Sequence, residues 1–258
     1  MTEIFSTLMS GNTLIMSEPS RQFDVEYLAG LMCREKVTRA QLFHSLIEKL
    51  ITIPSFTGSH SLHYIITGGD KLSQYLVGEY YRAMGNRTPL VNVYGPTEAT
   101  VASTFYICKE SDTDQVIPIG RPFANYQLLV VDDHGELVPP GIPGELWIGG
   151  DGLAQGYLNN ETLSEGAFVN VKWEGSCEKR FYKTGDIVKQ NHSGEFIFIS
   201  RKDSQVKIRG FRIELGEIQH VILTIQGVQH AAVAVNHIEG EKKLFAFIVK
   251  QKGSLIVR

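Results

Sequence analysis

Residues 62–96 read LHYIITGGDKLSQYLVGEYYRAMGNRTPLVNVYGP. Leu62 to Thr67 is a short β-branched and aromatic run that ends in Gly68-Gly69-Asp70. Leu72 to Gly85 has helical spacing, and Leu90 to Tyr94 is a second strand-like run closed by Gly95-Pro96. Strand, glycine turn, helix, strand, glycine turn is the rhythm of a βαβ unit, and such sheets gather ligands beyond the carboxyl ends of their strands. Both glycine turns are expected there, within a layered α/β region. Just upstream, RAQLFHSLIEKL at 39–50 sets Leu42, Leu46 and Leu50 at i, i+4, i+8 beside Phe43 and Ile47, which predicts an amphipathic helix.

From about residue 108 the character changes to short strands (QLLVVDD, GELWIGG, DIVKQ, GEFIFIS) between turns marked by Pro118, Pro122, Pro139-Pro140 and Pro143. This reads as a small antiparallel barrel or distorted sheet. Residues 204–258 read as a third unit: an alternating strand SQVKIRGFRIEL, a helix near Gly216 to Ile225, then the strands AAVAVNHI and LFAFIVK. A unit of about 55 residues is near the lower size limit for independent folding. The expected fold class is α/β plus β, divided at 1–107, 108–202 and 203–258.

The 258 residues are 43% hydrophobic and 21% charged, which excludes a disordered or collagen-like chain. With 25 Lys+Arg against 28 Asp+Glu, the net charge of −3 gives no global reason to expect nucleic acid or an anionic membrane as partner. Cys33, Cys108 and Cys177 form neither a CxxC nor a Cys/His cluster, so a zinc ribbon and a disulfide framework are unsupported and a reducing compartment is the default. The amino terminus lacks the basic and apolar regions of a signal peptide, and nowhere do about 18 apolar residues run together. A cytoplasmic protein is expected, in which the Asn86, Asn160 and Asn191 sequons are chance matches.

Several segments carry possible chemistry, each beside a plainer reading. In NVYGPTEAT (92–100), Thr97 offers a hydroxyl beside the Glu98 carboxylate, a pairing that could hold a phosphate oxygen and its divalent metal; a strand-ending turn explains the same residues. In YKTGD (182–186), Asp186 suits a vicinal diol such as a ribose, while an exposed turn aspartate is the alternative. In SRKDSQVKIRGFRIEL (200–215), five basic residues occur between Arg201 and Arg212, either a phosphate-facing strand or a solvated one. The glycines of GELWIGGDGLAQG (144–156) fit structural turns better than a nucleotide loop, because no GxxxxGK[ST] occurs. His60 and His63 have no third ligand nearby in sequence, and GxSxG and HExxH are absent.

Taken in order, YGPTEAT, PIGRPFAN, GELWIGGDGLAQGYLN, YKTGD and SRKDSQVKIRGFRIELGEI resemble the adenylate-forming enzyme superfamily, most closely the amino-acid adenylation domains of nonribosomal peptide synthetases. The resemblance covers nearly the whole chain. It implies an ATP-dependent ligase in which a substrate carboxylate attacks the α-phosphate of ATP, expelling pyrophosphate, before the acyl group passes to the phosphopantetheine thiol of a carrier domain. By position in the motifs, Thr97 would contact phosphate and Glu98 would hold Mg²⁺. Tyr94 would stack on adenine, Gly95 would belong to the same nucleotide-binding turn, and Asn92 would hydrogen-bond the adenine edge. Asp186 would hold the ribose hydroxyls, Arg201 would reach the ribose-phosphate side, and Phe198 would lie against the nucleoside. Asp203 matches the hinge about which a small C-terminal subdomain rotates, and Lys207 and Gly210 would lie on the strand presented for thiol transfer. Ser200 stands where the family has glycine. The acyl pocket would include Gln41, Ile66, Gly68, Val93, Val101 and Ala102, with Thr2 at its edge, a set suited to a medium or large side chain with little charge.

The resemblance also implies that the family's phosphate loop and amino-gripping aspartate belong upstream of Thr2, and its catalytic lysine beyond residue 258. The chain is thus read as the C-terminal half of an adenylation-domain core followed by an incomplete C-terminal subdomain. One lost charge-stabilising donor costs roughly 10²–10³ in rate. Negligible amino-acid-dependent ATP–pyrophosphate exchange, and self-association through uncovered apolar faces, are therefore expected of the isolated 258 residues. Two other readings stand: an acyl-CoA or aryl-acid ligase of the same superfamily, against which RGFRIELGEI and PIGRPFAN lean, and a non-catalytic truncated remnant. The partners implied are an amino acid, a peptidyl carrier domain and other synthetase modules.

Overall fold

The computed structural model describes residues 2–172, 177–203, 205–208, 211–238 and 241–251. They form two compact units, 1–200 and 201–258. The first begins with helices α1 (Thr2–Met9) and α2 (Val25–Arg34), strand β1 (Arg39–Gln41), helices α3 (His44–Leu50) and α4 (Pro54–Thr57), β2 (Tyr64–Gly68), α5 (Gln74–Met84) and β3 (Leu90–Tyr94). A single 3₁₀ turn, Thr97–Ala99, leads to β4 (Thr104–Ile107) and β5 (Arg121–Pro122). These strands make one sheet in the order β1-β2-β3-β4-β5, parallel from β1 to β3 and antiparallel from β3 to β5. The expected βαβ unit is β2-α5-β3.

Helix α5 forms where the sequence signals it. The Ser73 hydroxyl accepts from Leu76 N–H at 3.1 Å, and Gly85 closes the helix with φ +63°. Its buried stripe of Leu76, Val77, Tyr80, Tyr81 and Met84 packs on the sheet face that also carries Ile65 and Leu90. Each such side chain contributes about 1.5–3 kcal/mol on full burial. The register sorts the sheet into two faces. Ile65, Thr67, Leu90, Asn92, Tyr94, Thr104 and Tyr106 are buried, whereas Ile66, Gly68, Val91, Val93, Phe105 and Ile107 are half-buried or exposed on the other side.

The helix expected over 39–50 starts only at His44. Arg39–Gln41 instead pairs in parallel with Tyr64–Ile66, and Leu42 N–H continues that ladder to Ile66 O at 2.9 Å. Leu42 and Leu46 satisfy a strand-to-helix junction as well as a helix, so apolar spacing alone did not mark the boundary.

The second sheet contains β6 (Tyr126–Val131), β7 (Gly144–Gly150), β8 (Phe168–Val171), β9 (Lys179–Gln190) and β10 (Phe196–Arg201), with β10-β9-β7-β6 in line and β8 beside β9. Helix α6 (Glu161–Ala167) interrupts a region read from sequence as strands only; Asn160 caps it, its side chain accepting from Leu163 N–H at 3.1 Å. Asp186 was expected after a turn and before a strand. It lies inside continuous β9, which bulges at that point: Lys183 to Ile187 on β9 spans only Trp147 to Glu145 on β7. Glycine in a strand marks such bulges as readily as turns, and Gly185 takes φ +69° there.

In the second unit, the single strand expected from SQVKIRGFRIEL is two short antiparallel strands, β11 (Val206–Ile208) and β12 (Phe211–Ile213), with Lys207 opposite Arg212. Helix α7 (Leu215–Leu223) precedes a long hairpin of β13 (Val228–Ile238) and β14 (Glu241–Lys250). Gly210, Arg209 and the Thr2 side chain lie outside the described residues.

Candidate functional site

The segment after β3 is folded tightly over its own glycine. A Cβ on Gly95 would stand 2.7 Å from Ala102 Cα and Ser103 N, so only glycine admits the return of the chain. Ser103 N–H donates back to Tyr94 O at 2.8 Å, and Ala99 and Thr100 N–H groups close the 3₁₀ turn onto Pro96 and Thr97 carbonyls. Thr100 and Val101 leave the turn with φ +53° and +71°. Thr97 is exposed at the head of the turn, and Glu98 beside it is only 6% exposed.

The bulge in β9 aims Asp186 inward. Thr184 Oγ1 donates to Leu146 O at 2.7 Å and accepts Asp186 N–H at 2.9 Å, while Glu145 Oε1 accepts Gly185 N–H at 3.1 Å. Asp186 is 3% exposed, not an exposed turn aspartate. Its Oδ2 accepts the Tyr94 hydroxyl at 2.5 Å, across 92 residues of sequence. Phe198 on β10 packs against the apolar cluster that contains Tyr94, Ala99, Leu146 and Val188. Asn92 is buried on the same sheet face as Tyr94, and its amide donates to Pro118 O at 2.8 Å.

A second hydroxyl–carboxylate contact joins Tyr157 to Glu98 Oε1 at 2.6 Å. Burial pushes the Tyr157 phenol well up, reinforced by its hydrogen bonds with Glu98 and Tyr182, so at neutral pH it is a proton donor. The motif reading did not single out Tyr157; its only sequence signal is its place in the GLAQGYLN block. Arg180, also not anticipated, donates to Ala154 O and Gln155 O at 2.7 and 2.6 Å and stacks over Phe168 at 4.3 Å.

The residues expected to form an acyl pocket divide in two. Gln41, Ile66, Gly68 and Val93 lie on the half-buried sheet face of three adjacent strands, Gln41 opposite Ile66 and Gly68 opposite Val93. Val101 and Ala102 lie in the loop that returns over Gly95. In the second unit, Arg201 holds Asp203 through two hydrogen bonds of 2.8 and 2.7 Å. That guanidinium, with a smaller opposing push from burial, keeps the Asp203 carboxyl below the ordinary carboxylate range. Lys242 Nζ donates to Lys207 O at 3.1 Å. His60 Nδ1 lies 2.5 Å from an Arg87 guanidinium nitrogen.

A family model described as AMP-binding enzyme matches residues 1–158. The chain belongs to the AMP-binding enzyme family. Relatives within reach of that family include tyrocidine synthase 3 of Brevibacillus parabrevis, 36% identical over 251 residues, and malpibaldin synthetase of Mortierella alpina, 39% identical over 251 residues. These alignments take in 97% and 96% of this chain and 4% of each relative. Among solved structures, PA1221, a nonribosomal peptide synthetase protein containing adenylation and PCP domains, superposes with a TM-score of 0.86 at 29% identity, covering 97% of this chain and 50% of that one. The Vibrio cholerae adenylation domain AlmE, solved with glycyl-adenosine-5′-phosphate, gives a TM-score of 0.80 at 28% identity, covering 96% of this chain and 47% of that one. This AMP-binding family chain therefore spans a few per cent of its synthetase relatives and about half of the solved adenylation proteins. Its α/β-plus-β fold is that of part of an adenylation domain. No helix among the described residues is long and apolar enough to cross a membrane.

Proposed function

We propose that the chain is part of an amino-acid adenylation domain of a nonribosomal peptide synthetase, using ATP to activate an amino-acid carboxylate for transfer to a carrier domain. The observation that carries this reading is the meeting of distant motif segments through two hydroxyl–carboxylate contacts, Tyr94 with Asp186 and Tyr157 with Glu98. Asp186, fixed by the bulge and by Tyr94, presents the acceptor that ribose hydroxyls need. Tyr94 offers its ring to adenine, Asn92 its amide to the base edge, and Phe198 an apolar wall. Thr97, exposed at the head of its turn, offers a hydroxyl to a phosphate oxygen.

Among the described residues no three His, Cys, Asp or Glu side chains converge on one point. A donor set of one carboxylate, Glu98, beside a hydroxyl suits Mg²⁺, which is commonly held by one or two carboxylates together with substrate phosphates. Bound there, Mg²⁺ would offset charge on the phosphates while a substrate carboxylate oxygen bonds the α-phosphorus and pyrophosphate leaves. The chain's own contribution is positioning: the tight Gly95 turn and the β9 bulge fix the donors before substrate arrives. Gln41, Ile66, Gly68, Val93, Val101 and Ala102 form the acyl wall, which favours an amino acid with a medium or large, uncharged side chain. Arg201 serves the ribose-phosphate side, Asp203 the hinge, and Lys207 and Gly210 the thiol-transfer pose. The parts 1–107, 108–202 and 203–258 act as partial core, β-subdomain and mobile subdomain in a cytoplasmic synthetase whose carrier domain bears phosphopantetheine.

The test is a chimera in which this chain replaces its matching 251-residue stretch in tyrocidine synthase 3. The expected result is amino-acid-dependent ATP–pyrophosphate exchange that Glu98→Gln abolishes. A folded chimera that exchanges with no amino acid, or with aryl acids alone, would overturn the proposal.

A further inference from the structure

We infer that Tyr157 is a positioning residue that fixes the orientation of the Glu98 carboxylate for a divalent cation. The inference rests on the reading of Glu98 as the metal-binding carboxylate. Glu98 sits on a single 3₁₀ turn, too short to hold a three-torsion side chain by its own backbone. The hold comes from residues 152–157 instead. Tyr157 Oη donates to Glu98 Oε1 at 2.6 Å, Ala154 N–H donates to Glu98 O at 2.8 Å, and Thr100 Oγ1 donates to Gly152 O at 2.6 Å. Side chain, backbone and the end of the turn are thus gripped by one segment.

That segment is itself pinned from β9 and β8. Arg180 donates to the carbonyls of Ala154 and Gln155 while stacking on Phe168, and the Phe168 ring lies 5.9 Å from that of Tyr157, centroid to centroid. A ligating carboxylate whose orientation is fixed by an outer partner binds its metal more tightly, and loss of such a partner typically costs about 10–100-fold in metal affinity. The hydroxyl is the one atom that Tyr157→Phe removes, with the ring retained against Phe168.

The chain, set in place of the matching half of the AlmE adenylation domain, is prepared with and without Y157F, E98Q and both together, and titrated with Mn²⁺ in the presence of ATP, reading water-proton relaxation, with near-UV circular dichroism as the check on fold. Y157F is expected to keep its near-UV spectrum and to weaken Mn²⁺ binding about tenfold. E98Q should weaken it at least as much, and the double variant no further, because one residue acts through the other. Should Y157F lose its near-UV spectrum, Arg180→Lys takes its place, with a smaller loss of Mn²⁺ affinity expected and no loss overturning the inference. If E98Q weakens binding and Y157F does not, Tyr157 has only a structural role and the inference fails while Glu98 stands. If the folded, unsubstituted chimera shows no saturable Mn²⁺ binding with ATP, or E98Q leaves it unchanged, the reading of Glu98 fails and the inference with it.

Discussion

Replacing Tyr94 with Phe removes the hydroxyl that donates to Asp186 Oδ2 at 2.5 Å and changes nothing else in the ring. Asp186 is 3% and Tyr94 8% exposed, so bulk water does not take the place of the lost donor. A hydrogen bond to a charged group contributes about 1.5–3 kcal/mol. A destabilisation of about 2 kcal/mol follows for Y94F. In a unit of 200 residues, at about 2–4 °C per kcal/mol, that lowers Tm by about 4–8 °C. The assay is a thermal melt by circular dichroism of wild type, Y94F, Asp186→Asn and the double variant. The two residues touch, so the cycle should return a coupling of about 1–2 kcal/mol rather than additive losses. A Tm within about 1 °C of wild type for Y94F, or additivity in the double variant, would refute the claim that this pair helps hold β3 to β9.

Other outcomes follow from single features. Gly68→Ala puts a Cβ 2.3 Å from Val93 O and should cost about 1–3 kcal/mol by forcing β2 from β3; Gly30→Ala, in helix α2 with nothing within 4 Å, should add about 0.5–1 kcal/mol, and equal chemical-denaturation midpoints for the two would contradict both. Cys33 and Cys177 are exposed, whereas burial, with Asp112 adding to it, pushes the Cys108 thiol up to about 12. Two thiols per chain should therefore titrate rapidly with Ellman's reagent and the third only on unfolding; three fast thiols would show Cys108 to be accessible. The Asp203 carboxyl, lowered by Arg201, lends the second unit stability that is complete above the ordinary carboxylate range and is lost as pH falls through the lowered value. Asp203→Asn should accordingly flatten the acid limb of that unit's melting profile below about pH 4, and superimposable limbs would exclude the linkage.

The motif segments could be picked out because each sets a glycine before reactive side chains: Gly95-Pro96 before Thr97 and Glu98, Gly185 before Asp186. Their partners were not, because no local pattern encodes a contact across 92 or 59 residues. Tyr157 sits in a glycine-bearing loop where an aromatic has no periodicity to betray its role. The helical spacing read over Leu72 to Gly85 comes within two residues of α5 at each end, and Ser73 and Gly85 cap the helix where it stops. Strand β9 could not: Gly185 in its middle gives the same signal as a turn, and only the pairing with β7 distinguishes them. Likewise α6 is seven residues long and has no buried stripe, so no apolar period marks it in the sequence.

The wall proposed for the acyl group joins one position that cannot drift to another that drifts freely. Gly68 is locked by the Val93 carbonyl, and any larger residue there is selected against through folding, whatever it would do for substrate choice. Val101 stands in the left-handed region, where a β-branched residue is held at a cost of about 1–2 kcal/mol, and it is substantially exposed. Exchange of Val101 for asparagine or glycine relieves that conformation, so folding raises no barrier to it. Divergence of substrate preference among descendants of this chain would accordingly begin at residue 101 and reach residue 68 last.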